Sequence, residues 1–438
     1  MALATRGLHL PLPWVLLLAY LFGIWLFLYA ALKLAEVCFP SCQAQLSAVA
    51  LAAAWFTLPV AGTSLLLMDP YVTARTFSTP LSLLAIAFAL RPPKPGNRRS
   101  IAAAASCLIG AAAFHILMAA YAAAFILALL IAKANTRRSR LIGLAALTAA
   151  AIAIATILQT HASPNTAAVR AASFSRYYWF LSQWQWYEWL GLAGPLVIFA
   201  LLLRSSTPSI RTISRAAIYI GLISILISLL FAHESFSAYA VARLQPLRPF
   251  LLIYAAMAVV LGGLLGSTRH RLLRPTAPIA ILAMACTFFV VQRQTYPASQ
   301  HIELPSLAPR NPWSQAFVWA QTHTSTEALF AIDANYITTS GEDGQTFRAT
   351  AQRSILPDFS KDGGEAAVRP SLTDTWFAGQ QVQQNLSAIS PAERYQRLHA
   401  LGVTWLVLHA SAKTNCVCPY ANAVVKVCPL APVSSPAE

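Results

Sequence analysis

Four polar clusters interrupt an otherwise apolar chain, and each contains residue types that can bind or move charge. MDPYVTARTFSTP (68–80) carries Asp69 and Arg75 between Pro70 and Pro80. The prolines break helix there, so the freed backbone groups need protein or a water-filled cleft as partner. Asp69 and Arg75 either close an ion pair that fixes the turn or line that cleft. His115 stands between two apolar runs, as a ring satisfied by a carbonyl or as a ligand contact. HESFSAYAVARLQPLRP (233–249) holds His233, Glu234, Arg243 and Arg248. A guanidinium fork matches phosphoryl oxygens, which suits a lipid-linked phosphate or pyrophosphate; simple headgroup contact is the non-chemical alternative. GEDGQTFRATAQRS (341–354) sets two acids before Arg348 and Arg353, with Gly341 and Gly344 shaping a turn. On a helix these two arginines would diverge by about 140°. One could then face a membrane-side cleft while the other supports the fold, and salt bridging inside the domain is the simpler account.

None of the motifs of soluble enzymes is present: no GxxxxGK[ST], no GxSxG, no HExxH and no dinucleotide fingerprint. No residue is assigned as a catalytic base. A divalent cation is compatible with the acids present, but no ligand cluster points to one, and no metal site is assigned.

The elements that must position these residues are apolar. Of 438 residues 57% are hydrophobic and 11% charged, a composition that belongs to a membrane solvent. The net charge of +16 is local: residues 1–300 hold 22 Lys and Arg against 4 Asp and Glu, and 301–438 hold 9 against 11. Fourteen of the 22 lie in four acid-free loops, 91–99, 133–140, 204–215 and 269–274. This pattern is topology rather than nucleic-acid affinity, and the positive-inside bias makes all four cytoplasmic.

Apolar spans are expected near 12–35, 45–67, 78–90, 101–114, 116–132, 142–158, 188–203, 216–232, 250–266 and 276–292. Several fall short of the roughly 20 residues a bilayer needs, so 101–114 and 116–132 can enter as a broken hairpin. Two spans separate each pair of basic loops. Loop 68–77, His115, 159–187, 233–249 and everything after 292 then face outward. The same counting puts 36–44 inside and Met1 outside, an unusual start: either a tolerated N-out start or a flipped first helix, or a chain that lacks a preceding span and its loop. SRYYWFLSQWQWYEWLG (175–191), with four Trp and three Tyr, is expected to be mainly an interfacial helix, with a stacking site for a ligand ring as the alternative.

The chain thus divides into a multi-span domain, 1–292, and an extracytoplasmic α/β domain, 293–438. In the latter, 311–325 is expected to be an amphipathic helix, 328–334 a strand ending in an acid, and 390–402 a helix with a Ser cap, an initial Pro and a terminal Gly. Strands are expected at 403–409 and 423–428. Cys416, Cys418 and Cys428 lie close together; a Cys418–Cys428 disulfide is favoured over a zinc site, because no suitably spaced His accompanies them. Cys107 and Cys286, in spans, are core residues. Cys38 and Cys42 fall in a loop that the parity places inside.

The segments DPYVTARTFSTPLSLLAIAFAL, QPLRPFLLIY and NPWSQAFVWAQTHTSTEALFAID resemble bacterial membrane proteins of the GT-C class, integral-membrane glycosyltransferases that use polyprenyl-phosphate-linked sugars. The resemblance covers most of the chain, though its motifs are family-typical rather than catalytic. It implies a bacterial inner membrane as location, the lipid bilayer and a polyprenyl phosphate as partners, and sugar transfer to an extracytoplasmic acceptor. Arg243 and Arg248, with Arg75, would hold the donor phosphate, and Asp69 or Glu234 would position acceptor or metal. GT-C enzymes carry an acid in the first large outer loop after the first span. Nothing here matches it, which agrees with an N-terminally incomplete chain. The rival expectation is a transport or assembly protein whose outer domain binds a partner.

Overall fold

The computed structural model describes residues 5–7, 9–91, 98–267, 276–297, 304–305, 307–334 and 347–432. Loop 269–274, most of loop 91–99, and Glu342 and Asp343 lie outside the described residues. Helix makes up 67% of the structure, and the sheet is confined to the C-terminal region. The chain forms two compact units. A helical unit comprises Leu16–Pro164 and Tyr177–Val290. A sheet unit comprises Val291–Glu438, Asn165–Arg176 and the stretch up to Val15.

In the helical unit an apolar helix lies at each of the ten expected places: α1 (Leu12–Cys38), α2 (Cys42–Ala54), α3 (Arg75–Leu90), α4 (Arg98–Phe114), α5 (Ile116–Ala132), α6 (Arg137–Thr160), α8 (Trp186–Leu202), α9 (Pro208–Phe231), α11 (Phe250–Gly266) and α12 (Thr276–Thr295). Two short helices lie between them in sequence: α10 (Ala240–Arg243), and α7 (Ala167–Phe174), which belongs to the sheet unit. Among the described residues, α1, α6, α9 and α12 are long and apolar enough to cross a membrane. Only 6% of the most apolar stretch of α6 is buried within the chain. An apolar helix so bare requires an apolar surrounding rather than water.

The expected span 45–67 is helical only as far as Ala54. Pro59 cannot continue a helix, and residues 55–74 fold back as an irregular loop. This loop satisfies its own backbone: Val60 N–H donates to Leu65 O at 2.9 Å, Leu67 N–H to Leu58 O at 3.0 Å and Met68 N–H to Phe56 O at 2.9 Å. Buried Val60, Leu65, Leu67 and Met68 anchor it in the main core. Irregular backbone inside an apolar helical unit is tolerable because protein covers it.

The helix at the centre is α11, apolar on every side and buried along nearly its whole length. Its glycines let α2 approach closely. A Cβ on Gly262 would lie 2.7 Å from Ser47 O, and one on Gly266 2.5 Å from Ser47 Oγ. This small-residue spacing is a common device of closely packed apolar helices.

In the sheet unit, five strands run β2 (Ser354–Ile355), β1 (Leu329–Ile332), β3 (Trp405–His409), β5 (Val425–Pro429), β4 (Tyr420–Ala421). The pairs of β1 with β2 and with β3 are parallel; those of β5 with β3 and with β4 are antiparallel. Strand alternation sorts side chains onto two faces. Phe330, Ile332, Val407, Val425 and Val427 pack with Trp313 and Phe317 of α13 (Pro312–His323). Ala331, Leu406, Leu408 and Cys428 pack with Leu398 of α17 (Pro391–Leu398) on the other face. Both helices start where their punctuation requires. Asn311 Oδ1 accepts from Trp313 and Ser314 N–H, and Ser390 Oγ accepts from Glu393 N–H. The turn after α17 closes at Gly402 with φ 76°.

Two expectations change here. The aromatic segment 175–191 is not one interfacial helix: 177–179 and 181–183 form tight turns, and only from Trp186 is it helical. Trp179, Phe180, Leu181 and Trp184 are buried, and Trp186, Tyr187 and Trp189 are exposed. Second, 165–176 belongs with the C-terminal domain, because α7 packs on α15 (Lys361–Val368) and α16 (Thr373–Gln383). Arg176 fixes this contact by donating to Phe359 O at 2.7 Å and lying over the Phe359 ring.

Replacing Gly262 by Val forces branched carbon atoms into the α2 backbone. Thermal unfolding in detergent should show a loss of about 3 kcal/mol, at the upper end of overpacking costs. Gly194→Ala, which has no neighbour within 4 Å, should unfold like the parent.

Candidate functional site

Three loops that are distant in sequence converge in the helical unit. In the first, Asp69 is 9% exposed; its Oδ2 accepts hydrogen bonds from Thr73 Oγ1 at 2.7 Å and Arg75 Nε at 3.1 Å, and Arg75 Nη2 lies 2.8 Å away in an ion pair. Thr73 Oγ1 in turn accepts from Arg75 N–H at 3.1 Å, at the start of α3 (Arg75–Leu90). The ion-pair alternative for Asp69 and Arg75 is therefore what the geometry contains, and the pair ties the turn together.

His115 is the one-residue joint between α4 and α5. Its Nδ1 caps α5 by accepting from Met118 N–H at 3.4 Å. That role requires an unprotonated Nδ1. Burial, followed by the charges of Arg248 and Arg75, pushes the imidazole pKa down to about 4.

Arg248 lies in the loop before α11 and is only 9% exposed. Gln245, at φ 53°, turns this loop, and the hydroxyl of Tyr121 holds it by donating to Leu244 O and Gln245 O. Arg248 makes no ion pair among the described residues, and its Nε has no hydrogen-bond partner. Burial above all, then the charge of Arg75, disfavours its cationic form, while Tyr178, Tyr121 and Asp69 act the other way. With Asp69 engaged by Arg75, the cluster holds two guanidinium groups against one carboxylate.

Arg248 lines a cavity of about 10 Å³ together with Thr63, Tyr178, Trp179, Ser228 and Gln245. That volume accommodates roughly one water. Trp179 Nε1, Ser228 Oγ and Gln245 Oε1 also lack hydrogen-bond partners. An indole N–H and a guanidinium N–H can only donate, a hydroxyl can do so by rotating, and an amide can by flipping. Buried donors without acceptors are costly, so this cavity suits an acceptor the size of one oxygen, either a water or a single oxygen of an anion.

The other expected residues lie elsewhere. Glu234 accepts from Ser182 Oγ at 2.5 Å, and exposed His233 bonds Leu229 O at the end of α9. Half-buried Arg243 sits at the end of α10, and burial lowers its pKa. None of these three lines the cavity. In the sheet unit Arg348, on α14 (Phe347–Ala351), pairs with Asp358 at 3.1 Å and Asp362 at 2.6 Å. Arg353 lies beyond that helix, and its Nη2 donates to Gln321 O and Thr324 O at the end of α13. Among the described residues no group of three or more His, Cys, Asp or Glu is placed to hold a metal ion. Sequence reasoning missed Thr63, Tyr121, Tyr178, Trp179, Ser228 and Gln245. They lie inside apolar runs, in the aromatic segment or in 233–249, with no charge to mark them.

Comparison with protein-family models and with curated protein sequences gives no match.

Two outcomes follow from this geometry. Asp69→Asn leaves Arg75 and Arg248 with no carboxylate between them. The variant should melt lower in detergent, and millimolar pyrophosphate should restore more of its melting temperature than it adds to the parent's. His115 titrates lower in the folded chain than its ordinary 6.5, so its contribution to stability is complete above pH 6.5 and lost as pH falls toward about 4. His115→Asn keeps a capping side chain without the titration. Unfolding free energies of parent and variant should differ by a constant above pH 6.5, and the parent should lose ground below it.

Proposed function

We propose that this chain is a polytopic inner-membrane protein of about ten spans, and that Arg248 and Arg75 hold the phosphate of a polyprenyl-phosphate-linked sugar donor for transfer on the extracytoplasmic side. One observation carries the proposal: loop 68–77, His115, segment 159–187 and segment 233–249, which the charge bias assigns to one side, supply Asp69, Arg75, His115, Tyr178 and Arg248 to a single electrostatic neighbourhood. The packing of α7 on α15 and α16 gives separate support. It is what a common side for 165–176 and the C-terminal domain would require. Sugar transfer itself enters from the GT-C resemblance.

The engagement of Asp69 by Arg75 and Thr73 favours a second reading, in which the site binds an anionic lipid headgroup without transfer. A bound carboxylate is a poor general base until its partners let go.

Binding of a polyprenyl phosphate to the protein in nanodiscs separates these readings from lipid contact alone. Losing a charge-assisted hydrogen bond of about 1.5–3 kcal/mol predicts a roughly 10- to 100-fold weaker Kd for Arg248→Ala, with Arg248→Lys in between. Equal affinity of parent and Arg248→Ala would remove the proposal. Binding without turnover of a polyprenyl-phosphate sugar leaves the non-catalytic reading. Topology has its own check: alkaline phosphatase fused after Pro164 or at the C-terminus should be active, and fused within 133–140 inactive.

A further inference from the structure

One edge of the sheet unit carries three cysteines and a buried arginine. Cys418 and Cys428 are joined by a disulfide. Cys416 has a free thiol, half-buried, and its Sγ lies 3.5 Å from the carbonyl oxygen of Pro429, the residue after Cys428. Cys416 and Cys428 both line one small cavity, and Arg394 of α17 enters it too. Arg394 is 1% exposed. One of its Nη atoms donates to Ile389 O and Lys413 O, while its Nε has no hydrogen-bond partner. The thiolate is the form that attacks disulfides, and the Arg394 guanidinium lines the same cavity as the Cys416 thiol and Cys428.

We propose that Cys416, Cys418, Cys428 and Arg394 form a thiol–disulfide exchange centre. The Cys416 thiolate attacks Cys428 Sγ, the Cys416–Cys428 bond forms, the Cys418–Cys428 bond breaks, and Cys418 leaves as a thiolate that takes up the proton Cys416 released. The step begins and ends with one disulfide and one thiol, so it needs neither oxidant nor reductant. Cys428 is the sulfur attacked because it shares the cavity with Cys416, whereas Cys418 does not line it. The exchange moves the free thiol from the cavity to Cys418, which is half-buried beside exposed Val417. In that position it can meet the disulfide of a second molecule. Arg394 is a positioning residue: it holds the attacking sulfur's charge and touches no outside substrate.

The test uses the full chain in detergent, without reductant, at pH 8. Samples are alkylated with N-ethylmaleimide over a time course, quenched in acid and mapped by tandem mass spectrometry. The expected result is label divided between Cys416 and Cys418, with Cys418–Cys428 and Cys416–Cys428 disulfides in complementary amounts. In Arg394→Gln the Cys418 label should accumulate several-fold more slowly while the native disulfide persists. Label on Cys416 alone at every time point overturns the proposal. Cys418→Ser gives an independent check. Treated with oxidised glutathione as the two-electron oxidant, that variant should form a Cys416–Cys428 disulfide; a folded variant in which both thiols still alkylate also overturns it.

Discussion

A guanidinium cannot escape burial by giving up its proton at any ordinary pH, so it must find a counter-charge or hydrogen-bond acceptors, or else destabilise its surroundings. Arg248 meets this constraint in an acute form. It is buried, its Nε is unpartnered, and the nearby carboxylate of Asp69 already belongs to Arg75. Much of the helical unit is arranged around holding it there. The Tyr121 hydroxyl clamps the carbonyls of Leu244 and Gln245, Gln245 adopts a left-handed backbone, and His115 remains a neutral cap instead of adding a third positive charge. Buried charge kept at such cost is a common mark of a binding site.

The frame that permits this is close helix packing. Gly262 and Gly266 bring α2 against α11, and the end of α2 releases the irregular loop 55–74 into a covered position. That loop supplies Thr63 to the cavity wall. The chain then turns into 69–75, where Asp69, Thr73 and Arg75 form a closed set of hydrogen bonds before α3 begins. The apolar pattern thus builds the scaffold, and breaks in it at Pro59, Pro70, His115 and Pro249 place the polar groups.

Much of this architecture was legible in the sequence for physical reasons. Apolar runs marked every long helix of the helical unit, and the Ser390, Pro391 and Gly402 punctuation marked α17, because capping is local chemistry. The two-faced strands β1, β3 and β5 followed from apolar runs of strand length. The site was legible only in part. Arg248, Arg75, Asp69 and His115 stood out as charges or titratable groups in an apolar chain. Ser228, Trp179 and Gln245 did not, since a Ser inside an apolar run or a Trp in an aromatic belt has ordinary explanations. The span expected at 45–67 failed because hydropathy continues past Ala54 while Pro59 stops the helix. The docking of α7 on the C-terminal domain was invisible, because it depends on Arg176 meeting Phe359 across 183 positions of sequence.

The central claim is that Arg248 waits for an anion. An electron cryo-microscopy map of the protein in nanodiscs containing a polyprenyl phosphate tests it most directly. Phosphoryl density within hydrogen-bonding distance of the Arg248 guanidinium, with Trp179 or Ser228 turned toward it, is the result this account predicts. Lipid density confined to the outer faces of the helices, with Arg248 bonded to a protein carboxylate, would contradict it.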